Sequence, residues 1–196
     1  MRGVGVNLVK GGNISLTKQA GQAGLAVVVV GLGWDLRSTT GQDFDLDSSA
    51  IACDAAGRAV DDRHFVFYGN LATPDGSIRH SGDNLTGAGE GDDEQITVDL
   101  TALTTQTERI VFPVSIYDAD TRNQNFGQVR NAFIRVVNTA DGSELARYDL
   151  SEDASVETAM IFGELYRNGS EWKFRATGHG YASGLRGIAQ DYGLNV

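Results

Sequence analysis

Three aspartates alternate with apolar residues in the segment "DFDLD", which runs from Asp43 through Asp45 to Asp47. Successive side chains of a β-strand point to opposite faces, so an extended backbone would place all three carboxylates on one face, about 6.6 Å apart. Like charges at this spacing repel each other, and aspartate is depleted from strands. The pattern therefore indicates a use for the carboxylates, and binding of a hard cation suits them.

A second acidic segment, "GDNLTGAGEGDDE" at residues 82–94, places oxygen-bearing side chains between glycines. Glycine lets the backbone turn sharply, so that carbonyls can join the Asp, Asn and Thr oxygens. Calcium takes about six to eight oxygen ligands, whereas magnesium keeps more of its water, so this inventory favours calcium. Zinc, iron or copper would need histidine or thiolate ligands, and His64, His80 and His179 show no such spacing.

The excess negative charge of the chain lies in these two regions. The net charge is −10, and residues 35–54 contribute −4 while residues 83–99 contribute −6, which leaves 15 acidic and 15 basic residues elsewhere. A general solubilising surface would spread its charge. Nucleic acid is not expected as a partner, because the basic residues are scattered and form no basic stripe.

The segment "DFDLD" has two other interpretations. An EF-hand loop counted from Asp43 would need Gly at position 6 and Glu at position 12, where this chain has Ser48 and Asp54. The EF-hand is therefore excluded. Alternating aspartates could also simply keep an exposed sheet edge from pairing with other chains. That second interpretation stays open for one segment alone, although two acidic segments in one chain favour a metal site.

Short apolar, β-branched runs separated by turn residues predict a mainly β protein. The predicted strands are 14–17, 25–31, 44–53, 64–68, 95–100, 109–117, 132–138, 144–149, 159–167 and 171–177. Asn168-Gly169 marks the clearest hairpin, and Pro113 within an apolar run predicts a sheet edge or a bulge. We expect a β-sandwich of two antiparallel-rich sheets with a few short helices, one of them near the C-terminus at 181–191. One domain, 1–196, is expected.

The longest apolar run, at residues 25–32, suits a buried strand better than a membrane span. The N-terminal residues show no signal-peptide pattern, and the single cysteine, Cys53, cannot form an internal disulfide. A cytoplasmic location is therefore expected. Cys53 is expected as a small core residue, and Trp34, Phe126 and Tyr181 as packing residues rather than the lining of a ligand pocket.

Many motifs in order make the chain similar to the TerD family of bacterial tellurium-resistance and stress-response proteins, across essentially its whole length. They are "GVNLVKGGNISL", "VGLGWD", "DFDLDSSA", "GDNLTGAGEGDDEQI", "NQNFGQVRNAFIRVVN", "LARYDLSED", "ETAMIFGELYR", "WKFRA" and "GYASGLRGIAQDYGLNV". The resemblance implies a β-sandwich that binds calcium through acidic loops and acts in resistance to tellurite, other chemical stress, phage and colicins. Many relatives have Arg in a "GDNRTG" motif where this chain has Leu85.

The resemblance also implies a ligand set. The calcium carboxylates would be Asp35, Asp43, Asp45, Asp47, Asp83, Asp92, Asp93 and Glu94, completed by Asn84, Thr86 and backbone carbonyls. Two calcium ions are expected, because about eight carboxylates exceed what one ion neutralises. Asp118 is a further candidate, with a turn aspartate bonded to its own loop as the alternative.

The functional prediction is a non-enzymatic calcium-binding protein whose ordered acidic loops present a surface to a partner. No nucleophile elbow, HExxH motif, P-loop or GxGxxG motif occurs in the sequence. The partner would be another tellurium-resistance or stress protein, or the inner membrane surface with a peripheral location there; the oligomeric state is left open. The alternative is direct capture of a toxic oxyanion or small ligand, which the acidic surface and the single cysteine disfavour.

Overall fold

The computed structural model describes residues 5–35, 41–85, 91–150 and 156–195, and Thr86 lies outside them. Thirteen β-strands are present in these residues: β1 (Val6–Leu8), β2 (Asn13–Ser15), β3 (Val27–Gly33), β4 (Leu46–Ser48), β5 (Ala50–Cys53), β6 (Phe65–Val66), β7 (Ile78–His80), β8 (Glu94–Asp99), β9 (Arg109–Ile116), β10 (Phe133–Asn138), β11 (Glu144–Asp149), β12 (Ala159–Asn168) and β13 (Glu171–Tyr181). The α-helices of the same residues are α1 (Leu16–Ala20), α2 (Ala119–Arg122) and α3 (Gly184–Asp191). Short 3-10 turns occur at Gly21–Ala23, Asp62–His64 and Phe126–Gln128.

The strands form two sheets, as the sequence predicted. The first sheet has the order β1-β11-β10-β3-β8-β7, and the second has the order β2-β13-β12-β9-β5-β6, with β4 also paired to β9. All pairings are antiparallel except the one between β1 and β11. Within the described part of the chain, no helix is long and apolar enough to cross a membrane.

Alternating strand residues from both sheets build the main hydrophobic core. Val28 and Val30 of β3 belong to it together with Phe112 of β9 and Phe174 of β13, all nearly or fully buried. Trp34 and Phe126 are part of the same core, as expected. A second, smaller core forms where α3 covers the second sheet, and it includes Cys53, Val111 and Ile188, with Tyr181 packed against it. Burial in this smaller core raises the pKa of the Cys53 thiol to about 12, so the thiol is not activated as a nucleophile.

The predicted hairpin at Asn168-Gly169 is confirmed. Asn168 at the end of β12 pairs with Glu171 at the start of β13, and Gly169 has a positive φ of 61°. A left-handed backbone of this kind is readily adopted by glycine, which explains why the turn falls at this dipeptide.

Several element boundaries differ from the prediction. The single strand predicted at 44–53 is divided into β4 and β5 at Ser49, whose backbone N–H and Oγ both donate to the Pro113 carbonyl, at 2.9 and 3.1 Å. Pro113 was predicted to mark a sheet edge or a bulge, and the second alternative is the one present. β9 lies between β12 and the strands β4 and β5, and the ladder shifts register between Ile161 and Gly163 on β12, where Ile161 pairs with Pro113.

One strand prediction and one helix prediction also need correction. The strand predicted at 14–17 ends at Ser15, whose hydroxyl accepts the Lys18 N–H at 3.2 Å and so caps α1. The C-terminal helix starts at Gly184 rather than at residue 181, because β13 extends to Tyr181. The short strands β1 and β7 and the helix α2 were not predicted.

Candidate metal centre

Three of the predicted acids converge on one point. One carboxylate oxygen from each of Asp45, Asp47 and Asp83 lies within 4.8 Å of the others. Asp47 belongs to β4 and pairs with Ser115 of β9, while the Asp45 carbonyl accepts the Tyr117 N–H at 2.8 Å. Pairing to β9 therefore fixes the extended backbone that turns both carboxylates to the same side, and Asp83 reaches them from the segment after β7.

The residues between these acids point the other way. Phe44 and Leu46 are 4% and 0% exposed and belong to the main hydrophobic core. The strand alternation read from "DFDLD" is thus present at Asp45 and Asp47, because burying two apolar side chains on one face directs two acids to the other. Asp43 is exposed and precedes the first residue of β4. It lines an open pocket together with Asp45 and Asp47.

Two of the three clustered acids are buried, the third, Asp83, is exposed, and their like charges repel each other. Asp45 and Asp47 are only 5% and 7% exposed. Burial, then the charge of Asp45 and those of Glu94 and Asp83, raises the pKa of Asp47 from 3.8 to about 8. Burial and the charge of Asp83 raise the pKa of Asp45 from 3.8 to about 6, against the opposing charge of Arg122. The folded chain therefore favours protons, or a cation, at this place.

One carboxylate oxygen of Asp45 is buried without a hydrogen-bond partner among the described residues. Asp45 Oδ1 makes no hydrogen bond among the described residues, and Asp45 Oδ2 lies 3.9 Å from Arg122 Nη1. A buried acceptor without a donor costs roughly 1 to 3 kcal/mol. Asp45, Asp47 and Asp83 line an open pocket of about 530 Å³, and a hard cation in that pocket would offset their negative charge. The residues around the pocket are Gln42, Asp43, Asp45, Asp47, Tyr68, Asp83, Leu85, Tyr117 and Arg122.

Glu94 lies beside the pocket but is turned into the protein. Its side chain is 1% exposed and accepts the Ser48 N–H at 2.7 Å, the Ser48 hydroxyl at 2.6 Å and the Asn84 N–H at 3.2 Å. Ser48 follows Asp47, and Asn84 follows Asp83, so one carboxylate joins the two segments that carry the clustered acids. The Asn84 side chain donates to Asp93, whose carboxylate also accepts the Trp34 N–H at 3.0 Å. Burial raises the pKa of Asp93, although the hydrogen bond from the Trp34 N–H opposes the rise.

The other predicted ligands bind partners outside the cluster of three, and Asp92 is the clearest case. Its Oδ1 accepts the Arg135 Nε–H at 2.7 Å, and its Oδ2 accepts from Gln95 at 3.1 Å. The Asp35 carboxylate accepts from the Asn131 amide. The ligand roles of Asp35, Asp92, Asp93, Asn84 and Glu94 stay predictions, and these residues are not part of the cluster of three. The predicted role of Thr86 falls outside the described residues.

Asp118, the further candidate, is exposed and lies directly before α2 with φ 49°, a left-handed conformation that aspartate tolerates better than most residues. It lines a smaller neighbouring pocket together with Asp47. Its carbonyl accepts the Arg122 N–H at 3.0 Å.

Four residues of the pocket, Gln42, Tyr68, Tyr117 and Arg122, were missed from the sequence. Tyr68 and Tyr117 end the strands predicted at 64–68 and 109–117, and the acid next to Tyr117 at its strand end was the available signal for that residue. Arg122 gave no signal, because its position depends on α2, which was not predicted. Gln124 was missed too; its Nε2 donates to the Gln42 and Asp43 carbonyls at 2.8 and 3.3 Å and so holds the segment leading into the cluster.

Fold and pocket together define a β-sandwich protein with an acidic pocket. The TerD domain model matches residues 4–192, and the chain belongs to the TerD family. It is 55% identical over 191 residues to the tellurium resistance protein TerD of Serratia marcescens, covering 97% of this chain and 98% of that one. It is also 55% identical over 192 residues to general stress protein 16U of Bacillus subtilis (strain 168), with the same shares covered.

A solved structure agrees with the fold. The crystal structure of a homologue of the telluride resistance protein (TerD) from Streptomyces coelicolor A3(2) superposes with a TM-score of 0.67 at 29% identity. The match covers 85% of this chain and 96% of the other. The chain is therefore a member of a tellurium-resistance and stress-protein family with the two-sheet fold described above.

Proposed function

We propose that this protein is a non-enzymatic, cytoplasmic calcium-binding stress-response protein. Calcium would be held by Asp45, Asp47 and Asp83 and would order the two acidic segments into a surface for a partner. The observation that carries the proposal is the convergence of one oxygen from each of these three carboxylates, two of which belong to buried residues.

The donor set supports calcium for chemical reasons. All three clustered side chains offer oxygen, which suits a hard cation rather than zinc or copper. Calcium tolerates irregular geometry with carboxylates, carbonyls and water, and the pocket is open enough to admit water. A divalent charge would offset the repulsion that raises the pKa values of Asp45 and Asp47. A second ion stays part of the proposal on the number of acids in the two segments.

Titration calorimetry of the chelator-stripped protein tests the proposal. We expect saturable calcium uptake, and we expect Asp45→Asn with Asp83→Asn to abolish the high-affinity step while the circular dichroism spectrum is kept. Asp149→Asn is the control, because this exposed acid lies on β11 outside the pocket and pairs with Arg147 at the surface. If calcium gives no heat of binding with the unaltered chain, the calcium site is excluded. If the double variant keeps the same affinity, neither Asp45 nor Asp83 is a ligand.

Direct capture of an oxyanion has less support. Among the residues that line the pocket, one base, Arg122, stands against Asp43, Asp45, Asp47 and Asp83. An anion would meet net negative charge there unless metal ions were bound first. In the same calorimeter, we expect tellurite to give no saturable heat with the metal-free protein.

A further inference from the structure

The pocket of the metal centre continues into a second pocket. The neighbouring cavity of about 240 Å³ shares Asp47, Tyr68 and Tyr117 with the larger one. It extends to Asp118 and Asp120 at α2 and to Gly184 and Leu185 at the start of α3. We call the two cavities together the acidic groove.

The acidic groove keeps a negative formal charge with no, one or two calcium ions bound. Its lining carries six carboxylates and one guanidinium, a formal charge of −5 with all acids ionised; the acids are Asp43, Asp45, Asp47, Asp83, Asp118 and Asp120. One calcium ion would leave −3, and two would leave −1. The N-terminus of α3 adds only about half a positive charge at the far end. The lining therefore repels an anionic surface and attracts a basic ligand.

The groove already shows how it holds a guanidinium. Arg122 lies with its Cζ 5.0 Å from the centre of the Tyr117 ring, while its Nη1 is 3.9 Å from Asp45 Oδ2. A tyrosine face beside a carboxylate is a favourable place for arginine, because the ring and the acid both attract the cation. Tyr68 brings a second ring to the same junction, and Tyr68 and Tyr117 are each 47% exposed.

We propose that the acidic groove binds an extended, arginine- or lysine-bearing segment of a partner protein. Basic side chains would pair with Asp118 and Asp120 at one end, and their aliphatic stems would lie against Tyr68 and Tyr117. The inference rests on the proposed function and deepens it by giving the chemistry of the partner. It favours a protein over an anionic membrane, because two bound ions still leave the lining negative.

Fluorescence anisotropy with a labelled peptide tests the groove. The probe is an extended peptide of about twelve residues, roughly 40 Å long, with arginine spaced by glycine and serine, and its matched control replaces each arginine with neutral citrulline. We expect saturable binding of the arginine peptide, in calcium and at physiological salt, and none of the citrulline peptide.

Asp118→Asn with Asp120→Asn should weaken binding about tenfold, as expected for two partly screened charge pairs. Asparagine also tolerates the positive φ at Asp118, so the fold is kept. Tyr68→Leu should weaken binding about threefold through loss of the cation–π contact. Glu108→Gln with Asp149→Asn changes the net charge equally outside the groove and should leave binding unchanged.

Three results would overturn the proposal that the groove binds a basic segment. They are equal binding of the arginine and citrulline peptides, equal losses of peptide affinity in the groove and control variants, or calcium-dependent binding to phosphatidylserine vesicles with no peptide binding. Calcium calorimetry on the same samples separates the two proposals. Calcium uptake without peptide binding defeats the groove alone. Peptide binding without calcium uptake defeats the calcium site and leaves the groove standing.

Discussion

A single buried carboxylate, Glu94, holds together the two segments that bear the clustered acids. Its Oε2 accepts both donors of Ser48, and its Oε1 accepts the Asn84 N–H. The His80 Nδ1 accepts the Gly82 N–H at 3.0 Å, so the ring proton is on Nε2, which faces the Ser48 carbonyl at 3.1 Å. Through its bonds to Ser48 and Asn84, Glu94 fixes the positions of both acidic segments, whether or not its carboxylate also contacts an ion.

Replacing this acceptor should disturb calcium binding and stability together. Glu94→Gln would set an amide NH₂ against a backbone N–H, so we expect calcium affinity to fall at least tenfold and the free energy of unfolding in chelator to fall by roughly 1 to 3 kcal/mol. Calorimetry and urea denaturation measure the two effects.

The matched control for this change is Glu164→Gln. Glu164 is also buried, at 6% exposed, and is paired with Arg109 and Arg175 away from the pocket. The Glu164→Gln substitution should lower the free energy of unfolding without changing calcium affinity. Unchanged calcium affinity in Glu94→Gln would reduce Glu94 to a purely structural residue.

The pairing of β3 with the start of β8 determines the position of the Asp92 carboxylate, one of the predicted ligands. Gly31 of β3 pairs with Gln95 of β8, and the Asp92 carboxylate lies over Gly31, where a Cβ would come within 2.2 Å of it. The missing side chain at Gly31 thus lets Asp92 cross the sheet to Arg135 on β10. This pairing directs Asp92 away from the cluster of three acids.

Gly31→Ala should therefore lower the free energy of unfolding by about 1 to 3 kcal/mol, because the new methyl group displaces Asp92 from Arg135. In an Asp92→Ala background the same change should cost clearly less, since the carboxylate is gone. A double-mutant cycle by urea denaturation measures the coupling, and additive losses would contradict it. Calcium affinity measured on Asp92→Ala tests the predicted ligand role of Asp92 separately, because removal of a ligand would lower the affinity.

The sequence could predict the two-sheet fold because buried strands alternate with solvent-facing residues, as at Phe44 and Leu46 against Asp45 and Asp47. It could also place those two acids and Asp83 in the candidate site. It could not separate Asp92 from them, because the run "DDE" joins a loop to β8 and has no period that tells one face from the other. Nor could it find Arg122, whose position depends on a four-residue helix after a left-handed aspartate.

For the whole molecule, the acidic excess sets how stability depends on pH. Folding raises the pKa of Asp45 to about 6 and that of Asp47 to about 8, both from 3.8. Groups with raised pKa values stabilise the folded state while protonated, so their contribution is complete below about pH 4 and is lost as pH rises through about 6 and about 8. Asp61 acts oppositely, because bonds from His64 and Arg63 lower its pKa to about 2, so its contribution is lost only in stronger acid.

The melting temperature of the metal-free protein should therefore fall as the pH rises from about 5 to about 9, and calcium should reverse the fall. At a calcium concentration of about 100 Kd, the ion adds about 2.7 kcal/mol, or roughly 5 to 10 °C for a chain of this size. Asp47→Asn should flatten the metal-free profile and remove most of the calcium effect, since the amide neither titrates nor repels Asp45. Scanning calorimetry in chelator and in calcium measures both profiles. A metal-free melting temperature that is flat or rises between pH 5 and 9 would show that the clustered acids carry their charges in the folded protein without strain.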